Sequence, residues 1–396
     1  MKVLRIYFDN QISEIENAWS LRAYGFCLGL LHPMVYLLWS NQGNQSLNLL
    51  LRHPPMCWPI FESCQIFRPF IFFASDQILA IYLIASLISA ILFLRISKIK
   101  FAYYGLLTVS ALQLFIFFQD YRLIESFQAV EFLAIGFFLF IPEKVLFGRL
   151  ILVASYIISG FDKLNSDWLS GMAFGQLFSI KGKFLEWVCA LVVFLEIGLS
   201  PVLFFRKAYI FWPIFILFLI FHLGFYSLVG YEFTGSLILL LSIFALVQIS
   251  PQPVAPARSL IPGSCLMIIF VFAQIYPAFI NRHSSVFGGD RRITLDLVGE
   301  RMVCENQLIL KYTNQTLERK IYTRSGAYLE CDPVVYYYRL RELCLAVSKE
   351  EGFIDLDFKL IGKKIIDVKW DTKIDRRKVC TSPLKLSWFG KFKDYE

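Results

Sequence analysis

The 396-residue sequence contains few charged side chains, and this scarcity excludes a soluble protein of ordinary composition. Only 18% of its residues are Asp, Glu, Lys or Arg, whereas 57% are hydrophobic and 17% are aromatic. A soluble globular chain carries about 25% charged and roughly 45–50% apolar residues. Together with a mean hydropathy of +0.57, this composition predicts an integral membrane protein surrounded by lipid.

Three further patterns are missing, and each absence excludes a class of function. The four histidines and nine cysteines form no Cys-x-x-Cys pair and no other metal-ligand spacing, so we expect no bound metal. The net charge of +8 comes without interleaved aromatic and basic residues, so we expect no nucleic-acid partner. No small-residue cleavage site follows the first apolar run, which is therefore predicted to be a retained helix and not a signal peptide.

Apolar runs of the length needed to cross a bilayer follow one another through the first 280 residues. They predict an α-helical integral membrane protein with about nine transmembrane helices in residues 1–280. Residues 281–396 are more polar and predict a C-terminal soluble domain of α+β or β-rich type. The predicted spans are residues 21–39, 76–94, 101–118, 127–141, 150–161, 185–205, 209–229, 233–249 and 260–280.

Basic residues in short loops predict the orientation of these spans. Residues 95–100, 143–149 and 206–207 carry Lys and Arg, and all three loops fall on one side if the N-terminus is cytoplasmic. An odd number of spans then places the C-terminal domain outside. That side is the periplasm or an organelle lumen, and a bacterial inner membrane is the favoured location.

Six cysteines fall on this outer side, and their even number predicts disulfide bonds. The first two would close a short loop, and the four downstream allow three pairings that spacing does not separate. Unpaired thiols are the alternative if the topology is inverted. The candidates are Cys57, Cys64, Cys304, Cys331, Cys344 and Cys380.

The C-terminal domain shows local patterns of both strand and helix. Alternating apolar and polar residues predict strands at 292–298, 307–312 and 364–370. Residues 334–347 have the periodicity of an amphipathic helix.

An ionisable cluster stands at the end of the fifth predicted span. Lys163 lies between Asp162 and Asp167, and Trp168 follows. Such a group at membrane depth is costly unless it is paired, hydrated or functional, so it predicts a site. The alternative is a terminal lysine that reaches the lipid headgroups beside an interfacial Asp-Trp anchor.

Polar residues are rare within the other spans, and together they predict a polar pocket beneath the outer face. Taken singly, each carboxylate can instead be protonated or bonded to a neighbouring helix. The residues are Glu131, Glu196, His222 and Glu232, with Asp120 and Arg122 at the outer end of the third span.

Residues 156–171 resemble the lysine motif of the horizontally transferred transmembrane domain family, to which the vitamin K-dependent gamma-carboxylases belong. The shared pattern is Lys163 before a leucine, then Asp167-Trp168 and a glycine. Phe221-His222, followed by Gly230, is similar to a Phe-His segment in a later helix of that family. The resemblance covers roughly residues 21–249.

This resemblance implies a membrane enzyme that uses reduced vitamin K or a related quinol. It assigns catalysis to Lys163, as the base that deprotonates the quinol, and to His222, as a hydrogen-bond partner of the quinol oxygen. Burial near lipid disfavours the ammonium form, as a lysine base requires. Implied partners are membrane lipid, the quinol, and a peptide or envelope protein on the outer face. Candidate binding residues are Asp120, Asp162, Asp167, Trp168 and Glu196.

The chain departs from the family pattern at several positions. Asp162 replaces a second lysine, Asp120 stands where the family has a histidine, and Phe225 replaces an asparagine. The outer region is also much shorter, so a large peptide-docking platform is not expected.

Two other functions remain open from the sequence. One is a non-enzymatic scaffold, in which Lys163 and Asp167 form a structural ion pair and the outer domain binds an envelope protein or lipid. The other is a thiol–quinone redox protein with Cys57 and Cys64 as its redox pair, although their spacing is not the two-residue separation typical of such pairs.

Overall fold

A succession of apolar helices makes up most of the chain before residue 280. The computed structural model describes residues 2–41, 56–58, 68–123, 126–171, 182–229, 231–250, 260–280, 302–320, 332–364 and 371–382. The main helices in this part are α1 (Lys2–Glu16), α2 (Trp19–Asn41), α3 (Arg68–Phe93), α4 (Ile99–Phe117), α5 (Ser126–Phe140), α6 (Lys144–Asp162), α7 (Lys183–Val193), α8 (Ala208–Val229), α9 (Tyr231–Ile249) and α10 (Ile261–Ile280).

Each predicted apolar segment coincides with a helix, but the predicted count of nine transmembrane spans is not supported. Four helical segments among the described residues are long and apolar enough to cross a membrane: Trp19–Ser40, Ile96–Phe117, Lys144–Asp162 and Lys183–Phe204. Five further apolar helices are described in full over 10–17 residues each.

Helix α2 packs against both α3 and α9. A small residue permits the closest approach, because a Cβ at Gly29 would lie 2.8 Å from the backbone Cα of Ala90 in α3. Small residues at helix contacts are typical of membrane bundles, where van der Waals packing drives association.

The three basic turns lie at one end of the helical bundle. Lys100 Nζ is 3.8 Å from Asp9 of α1, and Lys144 Nζ is 3.8 Å from Glu14 of the same helix. Arg149 donates a 2.8 Å hydrogen bond to a carbonyl oxygen in the helical extension of α7, just before the third basic turn. These contacts bring the three basic turns together.

The opposite end of the bundle contacts the C-terminal region. The Tyr121 hydroxyl donates a 2.6 Å hydrogen bond to Asp332, and the Tyr121 amide donates a 2.7 Å bond to the carbonyl of Met56. Trp58 packs on Tyr121 with ring centroids 5.3 Å apart. The loop after α2, the turn after α4 and the start of the C-terminal helix therefore meet at one place.

The described C-terminal residues form a four-stranded antiparallel sheet covered by one helix. The strand order is β2-β1-β3-β4, and the helix packs on the sheet through Tyr336 and Leu340, which belong to the same apolar cluster as Leu308 and Phe358. Alternation along β3 turns its apolar side chains toward the helix. The elements are β1 (Met302–Tyr312), β2 (Thr316–Arg319), α11 (Pro333–Val347), β3 (Phe353–Lys364) and β4 (Asp371–Arg376).

The sequence predictions for this domain are confirmed in part. The strand at 307–312 lies within β1, and the helix at 334–347 is α11. Residues 281–301, with the predicted domain boundary and first strand, lie outside the described residues, as does most of 364–370. Strands β2, β3 and β4 were not predicted, although the alternating pattern of β3 was available in the sequence.

Disulfide bonds form among the predicted cysteines. Cys344 and Cys380 are bonded and join α11 to the segment after β4. This bond belongs to one of the three pairings that the spacing of the four downstream cysteines allowed. Cys57 and Cys304 each take part in a disulfide bond as well. Cys64 and Cys331 lie outside the described residues.

Candidate functional site

A partly open cavity of about 60 Å³ lies where α6 ends, lined by residues of α5, α6, α7, α8 and α9. Most of its walls are apolar, and ionisable groups come together on one part of them. The lining residues are Val130, Leu152, Ser155, Tyr156, Ser159, Lys163, Trp168, Val192, Glu196, Phe221, His222, Phe233, Thr234 and Leu237.

Lys163 is held at the C-terminal cap of α6 by a buried ion pair. Its Nζ lies 2.7 and 2.9 Å from the two carboxylate oxygens of Glu196, and both side chains are only 5% exposed. Nζ also donates to the hydroxyl of Ser159, one turn earlier on α6. The Trp168 ring centroid is 5.2 Å from Nζ, within the range of a cation–π contact. The three ammonium protons therefore have acceptors, and an aromatic face shields the group.

Glu196 occupies a local widening of its helix. Helix α7 continues as a π-helical turn, Phe194–Leu199, and then as a 3-10 turn, Ser200–Phe204. Pro201 has no N–H to donate to the carbonyl four residues earlier, and its ring crowds that carbonyl, so the preceding turn opens. Such π-turns occur frequently at functional sites, and this one carries Glu196 to Lys163.

A glycine on α6 allows the two helices to approach each other at the ion pair. A Cβ at Gly160 would lie 2.5 Å from Cγ1 of Ile197 and 3.1 Å from Cβ of Glu196. Because Lys163 follows less than one turn later, this contact determines its distance from the carboxylate.

We expect Gly160→Ala to separate α6 from α7 and to weaken the Lys163–Glu196 pair. Overpacking of this kind costs about 1–3 kcal/mol, which thermal melting of the purified protein would show. The matched control is Gly136→Ala in α5, where an added Cβ meets nothing within 4 Å. Equal melting temperatures for the two variants would contradict the close approach at Gly160.

A second buried pair faces the same cavity. The Tyr156 hydroxyl and His222 Nε2 are 2.6 Å apart, and His222 is 4% exposed. Tyr156 lies seven residues before Lys163 and Ser159 lies four before it, so all three are on one face of α6. Two hydrogen-bonded pairs therefore line the cavity: the ion pair of Lys163 with Glu196, and the Tyr156–His222 pair.

The turn after Lys163 fixes the position of Trp168. The Asn165 side chain caps this turn by accepting a 2.8 Å hydrogen bond from the Trp168 amide. The indole Nε1 donates to the carbonyl of Cys189 in α7 at 3.2 Å. Anchored at both points, the ring is held over Lys163.

The structure brings together four of the predicted site residues: Lys163, His222, Trp168 and Glu196. Asp162 is exposed, and Glu196 is the carboxylate bonded to Lys163. The Asp167 side chain lies outside the described residues, so the predicted pair of Lys163 with Asp167 stays a prediction.

Asp120 lies elsewhere. It is 1% exposed at the end of α4 and close to Tyr338 of α11, and it is not among the described residues that line the cavity.

Four polar residues of the cavity were missed by the sequence predictions: Ser155, Tyr156, Ser159 and Thr234. Tyr156 and Ser159 could have been found, since both share a helical face with Lys163. Thr234 of α9 had no signal: it is a single hydroxyl in an apolar helix, and its Oγ1 is buried without a hydrogen-bond partner among the described residues.

The fold and the cavity define a helical protein of membrane type with a buried acid–base cluster. Comparison of the chain with protein-family models, with curated proteins and with solved structures finds no match.

Proposed function

We propose that the protein is a membrane-embedded enzyme that removes a proton from a lipophilic quinol, of which reduced vitamin K is one example. The observation that supports this function is the Lys163–Glu196 pair, which opens onto an apolar cavity beside the Tyr156–His222 pair. Acid and base groups next to an apolar compartment suit a substrate with a hydroxyl group on a hydrophobic ring.

The ion pair can act as the base through a shift of one proton. Transfer from Lys163 Nζ to Glu196, across 2.7 Å, gives a neutral amine and a carboxylic acid without changing the charge of the pair. The amine then takes the proton of the substrate hydroxyl, so that the O–H bond breaks and an N–H bond forms. Direct transfer from the substrate to the Glu196 carboxylate ends in the same state: an oxyanion, a Lys163 ammonium group and a protonated Glu196.

The products of this step are a substrate oxyanion, a lysine ammonium group and a protonated Glu196. Coulombic attraction in a site of low dielectric stabilises an oxyanion beside an ammonium group. His222 lies on the same wall as Lys163 and hydrogen-bonds the substrate oxygen. Thr234, with its unpartnered hydroxyl, is available to a second substrate oxygen.

The apolar lining fits a quinol ring, but the cavity is too small to hold the ring without a rearrangement of its side chains. The cavity of about 60 Å³ is smaller than the roughly 150 Å³ in which an engineered apolar cavity binds benzene. A ring therefore enters only if lining side chains such as Phe221 and Phe233 move aside.

For the orientation, we propose that the basic turns face the cytoplasm and that the disulfide-bonded domain lies in the periplasm or a lumen. The meeting of all three basic turns at one end supports this arrangement. We also propose that the shorter apolar helices lie within the membrane with the four longer ones, because α10 exposes Ile268, Ile269 and Phe272, as a lipid-facing helix does.

A membrane scaffold is the second candidate function. The complete set of acceptors around Lys163 favours it, since a structural ammonium group needs the same partners. In that case the outer domain would bind an envelope protein or a lipid, and no quinol would be held.

Quinol binding distinguishes the two functions. We expect mass spectrometry to find a co-purified quinone in the wild-type protein and to find it depleted at least tenfold in His222→Ala, because this variant removes a polar contact and disturbs Tyr156. The control is His32→Ala, which removes another buried histidine that does not line the described cavity. Equal quinone content in the wild type and His222→Ala would contradict the proposed cavity, and equal loss in both variants would indicate general damage.

A further inference from the structure

A second group of buried polar side chains lies between α2, α3, α4 and α5 and takes no part in the cavity chemistry. Its members come from four helices, and each is no more than 7% exposed. In a chain with so few polar residues inside its helices, such a cluster requires an explanation. The residues are His32, Tyr82, Ser110, Gln113 and Glu131.

In the part of the cluster formed by Ser110, His32 and Tyr82, the hydrogen bonds show which group is the donor in each contact. Ser110 uses its single hydroxyl proton on the carbonyl of Leu106, at 2.8 Å. It therefore accepts at its contact of 3.2 Å with His32 Nε2, so that nitrogen carries the proton. His32 Nδ1 is then an acceptor, and the Tyr82 hydroxyl donates to it at 3.0 Å. His32 is neutral in this arrangement, and all three side chains have partners.

In the part formed by Gln113 and Glu131, two acceptor oxygens have no donor within hydrogen-bond distance among the described residues. Gln113 Nε2 donates to Glu131 Oε1 at 3.3 Å, which uses one atom of each group. The remaining oxygens, Gln113 Oε1 and Glu131 Oε2, are both buried without a hydrogen-bond partner among the described residues. Both are acceptors when the carboxyl group is ionised, and unpartnered buried acceptors are strongly destabilising.

A cation does not supply the missing charge balance. No lysine, arginine or histidine lies within ion-pair distance of Glu131 in the part of the chain that the structure describes. An ionised carboxylate in this position would be a fully buried, uncompensated charge, whereas Lys163 compensates Glu196.

One proton satisfies both unpartnered oxygens. We propose that Glu131 is a proton-binding site of the helical bundle: its Oε2 carries a proton and donates it to Gln113 Oε1. The two planar groups then form a cyclic acid–amide pair with two hydrogen bonds, one in each direction. No other ligand is needed, because the amide and the acid each use one donor and one acceptor.

This site is separate from the proposed quinol base. Val130, the residue before Glu131, lines the cavity, but Glu131 itself belongs to the cluster on α4 and α5. Buried acids of this kind hold protons within membrane proteins. The proposal does not depend on quinol chemistry, since it follows from the unpartnered atoms alone.

Infrared spectroscopy tests this proposal directly. We expect wild-type protein in lipid nanodiscs at neutral pH, labelled with ¹³C at glutamate carboxyl groups, to show a protonated-carboxyl C=O band that shifts in D₂O. Glu131→Gln should remove that band and keep the fold, because its amide donates to Gln113 Oε1 as the acid does. The matched control, Glu196→Gln, should retain it.

A second variant covers the case in which Glu131→Gln fails to fold. Gln113→Leu removes the amide partner, so the same band should move to higher frequency while remaining present. The proposal is overturned if the wild type shows no protonated glutamate band at neutral pH. It is also overturned if the band is unchanged in both Glu131→Gln and Gln113→Leu.

Discussion

Lys163→Met is expected to unfold the site and to abolish quinol deprotonation. The substitution leaves the Glu196 carboxylate, 5% exposed, without its counter-charge. Breaking a buried ion pair in this way costs about 3–5 kcal/mol. Thermal melting of the purified protein would show the loss of stability. Absorption spectra recorded after anaerobic addition of a reduced naphthoquinone would show whether the bound quinol is deprotonated.

Loss of stability alone does not separate an enzyme from a scaffold, because both functions need the pair. The double variant Lys163→Met/Glu196→Leu resolves this ambiguity. Replacing a buried ion pair by apolar side chains of similar volume is often neutral or stabilising, so we expect the double variant to recover a melting temperature near that of the wild type. It should nevertheless fail to deprotonate the quinol, since it contains neither base.

The outcome that contradicts the proposed mechanism is equally specific. If the folded double variant still produces the quinolate spectrum, neither Lys163 nor Glu196 is the base. If neither the wild type nor the variant binds the naphthoquinol, the scaffold function is favoured.

Removal of the Cys344–Cys380 disulfide is the second large effect expected. The bond joins positions 36 residues apart in the sequence, and closing a loop of that length restricts the unfolded chain by about 4 kcal/mol in the chain-entropy description. We therefore expect Cys344→Ser/Cys380→Ser to destabilise the C-terminal domain. Limited proteolysis under non-reducing conditions should cut this variant within 302–382 much faster than the wild type.

The control for the disulfide is Cys265→Ser, which replaces an exposed free cysteine of α10. The free energy of unfolding of this variant should lie within about 0.5 kcal/mol of the wild-type value, as is usual for surface substitutions. Wild-type resistance to proteolysis in the double serine variant would contradict a stabilising role for the bond.

Much of the helical order could be predicted because it depends on local composition. Runs of apolar residues specify where a helix is stable in lipid, and they placed α2 to α10 correctly along the chain. The predicted count of nine spans is not supported, because an apolar run does not by itself show whether its helix is long enough to cross a membrane; four segments among the described residues meet that requirement.

The sequence predicted several residues of the candidate site, but it did not predict which of them bond to each other. Lys163 and Trp168 were visible as a local motif, and Glu196 and His222 as polar exceptions within apolar runs. Their hydrogen-bond partners were not visible, since Asp162 and Asp167 are nearer to Lys163 in the chain than Glu196 is. A helix end directs adjacent side chains to different faces, so Asp162 is exposed although it is next to Lys163 in the chain.

By itself, the sequence determined the membrane-type composition, the succession of apolar helices and the location of an ionisable group at the end of α6. These properties follow from residues within a few turns of one another. Only the tertiary structure decided that Lys163 bonds to Glu196, 33 residues away, and that Cys344 bonds to Cys380. Both pairings depend on how elements pack, as the close contact between α6 and α7 at Gly160 shows.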